Sequence, residues 1–404
     1  MTEQGPELDR SVPALLVKVG HYPQHHGGLG VVRTLARAGV AVHAMVEAPT
    51  TPVALSRHLA GYAVYRSSGR EPPGHLVDEI CAIAERIGRP AVAVPTDDEA
   101  AVLLAEHADA FAPHLLLPPV AAGLPRRLAS KAGLDELCRR HGTPTPRSAA
   151  VADRAALLAL GREWGYPLVL KNLEAFTRLR APVVGHTTLV RNEGALRELV
   201  ADVPLSVLAQ EYLPTERTED WSTHLYCGAG GEPRVAFTGR KVRAWPPDSG
   251  VTTRAVALPN RHLLEQAVRF CRAIGYAGAA DLDWRLDLRD GTYKLLDFNP
   301  RTGAQFRLFE DEHGVDVVRA LHLELTGRRV PPAPQRTPRT FVVGQLDLPS
   351  MLCWVARHRR PPQAVLPRAG TERGWLSLDD PLPAVAEACW FAGTVARRLL
   401  GRTG

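Results

Sequence analysis

Between Ala14 and about Pro118, short apolar runs alternate with amphipathic stretches: "ALLVKVG", "GVVRTLARAG", "VAVHAMV", "GHLVDEICAIAERIG" and "PAVAVPT" follow one another. Strand-length apolar runs separated by helical periodicity predict βαβ units around a parallel sheet. The joint "LLLPPVAAGLP" ends this first domain, residues 1–118.

A second unit, 119–205, opens with a helix in "PRRLASKAGLDELCRRHG" that ends at Gly142. It continues through "DRAALLALGREWG" and the buried strand "YPLVLKNL" to the helix "RNEGALRELVADV". A third, 206–330, begins with the strand "SVLAQEYLP", stopped at Pro214, and runs through strands and loops to "RAVAL". The helix "RHLLEQAVRFCRAIGY", the hairpin "AADLDWRLDLRDGTYKLLDFN" and the helix "VDVVRALHLELTG" complete it. After the linker-like "VPPAPQRTP", residues 331–404 read as a small C-terminal module with a strand "FVVGQLDL" and two helices. The predicted fold class is α/β: a parallel-sheet βαβ domain, then a two-lobed α+β domain, then the small module.

Composition narrows the class without naming a chemistry. A chain of 404 residues exceeds one core and suits two or three domains. With 45% apolar and 23% charged residues, no signal-peptide core and no long uncharged apolar run, it reads as a cytoplasmic globular protein with no membrane partner. The six cysteines form no C-x-x-C pair and read as reduced packing residues. A net charge of +6 is spread along the chain without aromatic interleaving, which argues against a nucleic-acid partner. Of 49 basic residues only Lys18, Lys131, Lys171, Lys241 and Lys294 are lysines. In so arginine-rich a chain, each lysine is a candidate for a position where arginine does not serve.

The chemistry concentrates in "YKLLDFNPRTGAQF". Asp297, Asn299 and Arg301 fall at every second position, so they share one strand face, and Asp283 on the preceding strand can lie beside them. Two carboxylates and an amide oxygen are hard ligands suited to Mg²⁺. An arginine beside them is a fork for a carboxylate or phosphoryl group. An ordinary ion pair between Asp297 and Arg301 is the competing reading. Upstream, Lys171 ends a buried strand and needs an anion or water, and Lys131 lies early in a helix.

Together these segments resemble the ATP-grasp superfamily, specifically its carboxylate-amine ligases, from roughly Ala14 to Gly327. "LLDFNPRTG" looks like the family's acid-x-Asn-x-Arg signature, supported by "SKAGLDELCRRHGTPTP", "PLVLK", "AQEYLP" and "GYAGAADLDW". The resemblance makes 119–205 the small lobe with its lid and 206–330 the large lobe with the metal site. It implies that Lys131 and Lys171 contact ATP phosphates, that Gln210 and the backbone of Glu211 and Leu213 meet the adenine, and that Asp220 holds the ribose. Asp283, Asp297 and Asn299 would bind Mg²⁺, two ions with Mn²⁺ as a substitute, and Arg301 would steady the transferring phosphoryl group.

The pattern departs from the family in having aspartate at both acidic metal positions and glutamine at the first hinge position. "PTERTE" also leaves Glu216 and Glu219 as rivals to Asp220. In the lid segment only Gly185 is a glycine, with Arg178 and Arg180 as alternative phosphate contacts. In "GRKVRAWPPDSGVTT", Arg240 and Lys241 are the expected clamp for a substrate carboxylate, with Arg243 and Trp245 as weaker candidates; a charged strand face is the alternative. His186, His224 and Glu310 are unranked candidates for the proton acceptor.

The implied activity is ATP-dependent amide-bond formation between amino acids through an acyl-phosphate, in peptide or specialised-metabolite synthesis. A D-aspartate ligase acting on a cell-wall precursor, a biotin-carboxylase-like enzyme and a non-catalytic nucleotide-binding regulator are the alternatives. A homodimer is compatible with the sequence, and "WLSLDDPLP" suits either a cap over the active site or a dimer contact. The glycine loop "GHYPQHHGGLG" reads as a tight turn, with His21, His25 and His26 solvated.

Overall fold

Every residue of β1 (Ala14–Val17) is buried because the strand has a hydrophobic core on each face. Leu15 and Val17 join one core, Ala14 and Leu16 the other. There follow α1 (His26–Ala36), β2 (Val42–Val46), β3 (Gly61–Val64), α2 (Pro73–Glu85), β4 (Ala91–Pro95), α3 (Asp98–Glu106), α4 (Ala108–Phe111) and β5 (Leu115–Leu116). The strands are all parallel in the order β3-β2-β1-β4-β5. The chain turns one way from β1 to β2 and crosses back to β4, which opens a crevice at the carboxyl ends of β1 and β4. This computed structural model describes residues 5–65, 71–173, 184, 187–200, 206–247, 250–359 and 370–400.

The histidines after β1 are not all solvated as expected. His21 is exposed, but His25 is buried and its Nδ1 accepts the Gly28 N–H at 3.2 Å, capping α1. His26 packs beside Phe341 and Trp375, and burial holds its imidazole down to about 4.

The expected helix of about a dozen residues ending at Gly142 is α6 (Lys131–Arg140), and a short helix, α5 (Leu124–Ala129), precedes it. They break at Ser130, whose extended backbone lets its hydroxyl accept the Gly133 N–H. Next come β6 (Ser148–Val151), α7 (Arg154–Trp164), β7 (Leu168–Asn172), β8 (Thr188–Val190), α8 (Glu193–Leu199) and β9 (Val207–Glu211). The four strands form an antiparallel sheet, β6-β9-β7-β8, backed by Leu157 and Leu196 of the two helices. Since β9 pairs with both β6 and β7, the small lobe extends past the division expected at residue 205.

The large sheet is built from β10 (Thr218–Cys227), β11 (Pro233–Trp245), β12 (Val251–Ala257), β13 (Gly278–Asp287) and β14 (Thr292–Asn299), with α9 (Arg261–Ala273) between β12 and β13. One face packs Trp221, Leu225, Leu282, Trp284, Leu295 and Phe298 against α5, α6 and α9. On the other, Tyr226, Phe237, Ala255 and Ala279 share a core with α1 and α10 (Val317–Leu325). That shared core joins the large sheet to the N-terminal domain.

Residues 331–404 are not a separate module. After α10, β15 (Arg339–Val342) pairs with β12, α11 (Gly344–His358) covers β11 and β12, and β16 (Thr371–Arg373) pairs with β15, before α12 (Leu382–Leu400). The expected strand "FVVGQLDL" is strand only to Val342, because Asp347 in the first turn of α11 receives Arg243 and Arg254, all three nearly sealed. Arg243 is therefore committed to this anchor. The linker-like stretch is pinned as well: Gln335 makes a two-way amide pair with the Thr238 backbone at 2.9 and 2.8 Å. "WLSLDDPLP" clasps the N-terminal domain through Asp380, which accepts Arg33 at 2.9 Å with side chains only 4% and 1% exposed. Among the described residues no helix is long and apolar enough to cross a membrane.

Glu387 of α12 closes the same clasp, accepting from Gln24 at 3.2 Å and Gln345 at 2.9 Å. Burial pushes its carboxyl up to about 7, against the pull of the two amide donors. The folded state thus holds a proton that the unfolded chain releases near its ordinary value of 4.5. This contribution to stability is complete below that value and is lost as pH rises to about 7. Glu387→Gln keeps the shape without the ionisation, so its melting temperature should fall less than the wild type's between about pH 5 and pH 8. Identical pH–melting curves for the two proteins would refute this role.

Candidate functional site

The polar half of the large sheet lies on the face that elsewhere joins the N-terminal domain. Alternation puts Asp220, Ser222 and His224 of β10, Lys241 of β11, and Asp281, Asp283 and Arg285 of β13 on that face. On β14 the alternation is broken once. Asp283 sits opposite Asp297 but Trp284 sits opposite Leu295, so Leu296 is an extra residue in a β-bulge. Leu295 and Phe298, three apart, therefore both enter the core, while Asp297 and Asn299 remain on the polar face.

Each acid here has a basic neighbour. Lys131, placed by the Ser130 cap at the start of α6, reaches Asp297 at 2.5 Å, and Lys241 pairs with Asp283. Arg285 holds both oxygens of Asp220 at 2.7 and 3.1 Å. Lys171, at the end of β7, faces the same charges from the small lobe. Burial, and then Lys131, holds its ammonium down to about 8, with Asp297 and Asp283 pulling the other way. Asn299 donates its amide N–H to the Asp281 carbonyl at 3.1 Å, which leaves its Oδ1 for another partner.

Arg301 follows β14 and is held by two carboxylates that sequence reasoning missed. Its Nη1 lies 3.0 Å from Asp281 Oδ2, and its Nε lies 3.4 Å from Oδ1 of Asp98 on α3. The other Asp281 oxygen faces His224 Nε2 at 3.1 Å. Burial would raise the Asp281 carboxyl, but His224, Arg301 and Lys241 bring it below its ordinary value; burial lowers the His224 imidazole although Asp281 pulls the other way. Gly303 is required beside them, since a Cβ there would lie 2.4 Å from His224 Cε1 and 2.6 Å from Asp281 Cγ. His224 is thus wedged as a support. Glu310, another candidate proton acceptor, is occupied by Arg336 at 2.9 Å and Arg339 at 2.7 Å.

The hinge residues line up along β9. Gln210 is buried, and Glu211 gives its N–H to the Arg147 carbonyl; Leu213 is buried just beyond. Of the ribose candidates, Asp220 is on the polar face, whereas Glu219 is on the opposite one with Trp221 and Arg240. Arg240 consequently does not join Lys241: neighbours on a strand point to opposite faces, and Arg240 lies 3.4 Å from Glu219. Arg178, Arg180, Gly185 and His186 of the lid segment lie outside the described residues.

The donor set fits a hard divalent cation. Asp283 and Asp297 face each other with Asn299 two residues along on the same face, and burial, with Asp281 and Asp297 adding to it, raises the Asp283 carboxyl despite Lys241. A cation there would relieve that concentration of charge. Among the described residues no group of three or more Asp, Glu, His or Cys side chains is placed to hold a metal ion, so the two aspartates and the amide supply only part of a coordination shell. Such an open set suits Mg²⁺, which keeps waters and takes phosphate oxygens.

Comparison with known proteins bears on the fold and on residues 255–325. Residues 255–325, from β12 to α10, match the family model "Carbamoyl-phosphate synthase L chain, ATP binding domain". The D-aspartate ligase of Enterococcus faecium (strain Aus0004) is 23% identical over 236 residues, 55% of this chain and 55% of that protein. The match thus spans about half the relative's length. Among solved structures, N5-carboxyaminoimidazole synthetase from Staphylococcus aureus superposes with a TM-score of 0.62 at 13% identity, over 88% of each chain. The biotin carboxylase domain of Hydrogenobacter thermophilus 2-oxoglutarate carboxylase, solved with MgADP and bicarbonate, gives 0.57 at 16% identity, over 80% of this chain and 71% of that one. At such identities the structures speak for the fold alone, which this chain shares with them, and residues 255–325 are similar to the ATP-binding domain of the carbamoyl-phosphate synthase L chain.

Proposed function

We propose that this chain is an ATP-dependent carboxylate–amine ligase that joins amino acids through an acyl-phosphate. The observation that carries the reading is the convergence of Lys131 and Lys171 on the facing pair Asp283 and Asp297, with Arg301 on the same edge. Cations from one side and oxygen donors from the other are what a nucleotide triphosphate with its metal requires. The similarity to a D-aspartate ligase supports an amino acid as one substrate.

In this reading the nucleotide lies between the two sheets, with its adenine against Gln210 and the Glu211–Leu213 backbone and its ribose at Asp220. Asp283, Asp297 and Asn299 hold magnesium, which neutralises charge on the phosphates when bound. Lys131 and Lys171 fix the phosphate oxygens, Lys241 receives the substrate carboxylate, and Arg301 offers its fork to the transferring phosphoryl group. The carboxylate oxygen attacks the γ-phosphorus and ADP leaves. The amine then displaces phosphate from the acyl carbon. The protein supplies positioning and fixed charge instead of a covalent nucleophile.

Mass spectrometry of products from ATP, Mg²⁺ and a panel of L- and D-amino acids tests this directly. A condensed product with matching ADP and phosphate is expected; nucleotide binding without amino-acid-dependent ADP release would favour a regulatory protein. Asp297→Asn conserves volume and removes one ligand charge. It should cut amino-acid-dependent ADP release by roughly 10²–10³-fold, the scale of losing a preorganised charged group, with the fold retained as read by circular dichroism. Turnover near the wild-type rate in that variant would sink the metal assignment.

A further inference from the structure

The proposed reaction leaves one task unassigned: a substrate ammonium must lose two protons to become an amide N–H. One can depart with the phosphate. We infer that Asp98 takes the other, its Oδ2 acting as proton acceptor for the attacking amine beside Arg301; this rests on the ligase reading above.

Two adjacent aspartates stand at the crevice of the N-terminal sheet. Asp97 is fully occupied: its Oδ1 caps α3 through the Ala100 N–H at 2.7 Å, and its Oδ2 holds the Val19 and Gly20 N–H groups at 2.9 and 3.0 Å. Asp98 is turned instead toward the large sheet. The loop after β14 is pinned to that crevice by the Thr302 N–H on the Pro95 carbonyl at 3.3 Å, and this brings Arg301 to 3.4 Å from Asp98 Oδ1. Oδ1 is sealed and makes no hydrogen bond among the described residues, yet a quarter of the side chain stays open. The reachable side is therefore that of Oδ2.

Its electrostatics suit the task. The first turn of a helix favours a charged carboxylate, and Arg301 and Lys131 favour it too. Burial outweighs them, helped by Asp297 and Asp97, and pushes the carboxyl up to about 6; Tyr276 is the other titratable neighbour. A carboxylate so placed is ionised at neutral pH but basic enough to accept a proton. The rival groups are committed. Asp281 has both oxygens engaged, His224 is wedged under Gly303, and His25 Nδ1 accepts the Gly28 N–H.

In the step itself, the amine gives one proton to Asp98 Oδ2 and its nitrogen lone pair forms the C–N bond. The acyl C–O bond to phosphate then breaks, and phosphate leaves with that electron pair and the second proton. Asp98 returns its proton to solvent through its open side.

Hydroxylamine separates this role from a merely structural one. It is already neutral at neutral pH, so it intercepts the acyl-phosphate without needing the acceptor. With ATP, Mg²⁺ and the amino-acid panel, Asp98→Asn should lose amide formation by about 10²–10⁴-fold and acyl hydroxamate formation by far less, the smaller loss reflecting the loosened Arg301. Asp98→Glu, which keeps a carboxylate, should recover part of the amide rate and guards against a folding defect in the first variant. If Asp98→Asn loses hydroxamate and amide in equal proportion, Asp98 only steadies Arg301 and the assignment fails. Undiminished amide formation overturns it equally. A wild-type protein that makes neither product overturns the ligase reading itself, a result distinct from either of these.

Discussion

The arrangement of the large lobe depends on one extra residue in β14. A strand that alternates strictly cannot bury Leu295 and Phe298 on one face and present Asp297 and Asn299 on the other, because Leu295 and Phe298 are three apart. The bulge at Leu296 absorbs the mismatch. It lets the strand complete the core against α9 and still set Asp297 opposite Asp283. Without it, either Phe298 or the two polar groups would face the wrong way, and a buried carboxylate without a partner costs far more than a lost ladder bond.

The second constraint joins the domains. The residues 301–306 that follow β14 sit where three elements meet: Thr302 bonds to the end of β4, Gly303 lies on the His224–Asp281 pair, and Gly27 at the start of α1 abuts Ala304. A Cβ at Gly27 would approach the Ala304 Cα to 2.8 Å, so the close contact depends on glycine. Phe306 and Phe309 then enter the core shared with α1 and α10. Arg301 is consequently fixed from both domains, by Asp281 through the sheet and by Asp98 across the crevice.

What was legible in the sequence follows the range of the interactions. The parallel first domain, the hairpin, and the grouping of Asp283 with Asp297 and Asn299 rest on local periodicity and a short turn, and they could be read. Asp98 could not, because two hundred residues separate it from Arg301 and "PTDDEA" looks like ordinary capping. Asp281 could have been found, since it lies two positions before Asp283 on the same face. Arg240 was misplaced by a disregard of strand parity, and "FVVGQLDL" was misread because a short apolar run does not distinguish strand from helix. The role of Asp347, which decides that helix, is a tertiary contact to Arg243 and Arg254.

These contacts also bear on how the proposed site works. Lys131 with Asp297, Lys241 with Asp283, Arg285 with Asp220 and Arg301 with Asp281 form a nearly neutral lattice, so like charges can crowd one sheet face without unfolding it. Burial weakens an ammonium's hold on its proton, as Lys171 at about 8 indicates, and it makes a carboxylate hold one more tightly; the paired charges offset both tendencies. On the ligase reading the same lattice is preorganisation: a magnesium nucleotide exchanges partners with it, carboxylates turning to metal and lysines to phosphate, with little movement of either. Arg301 differs from the lysines in keeping a rigid fork against two fixed carboxylates. It can therefore steady a transferring group without being drawn away from the point where the two domains meet.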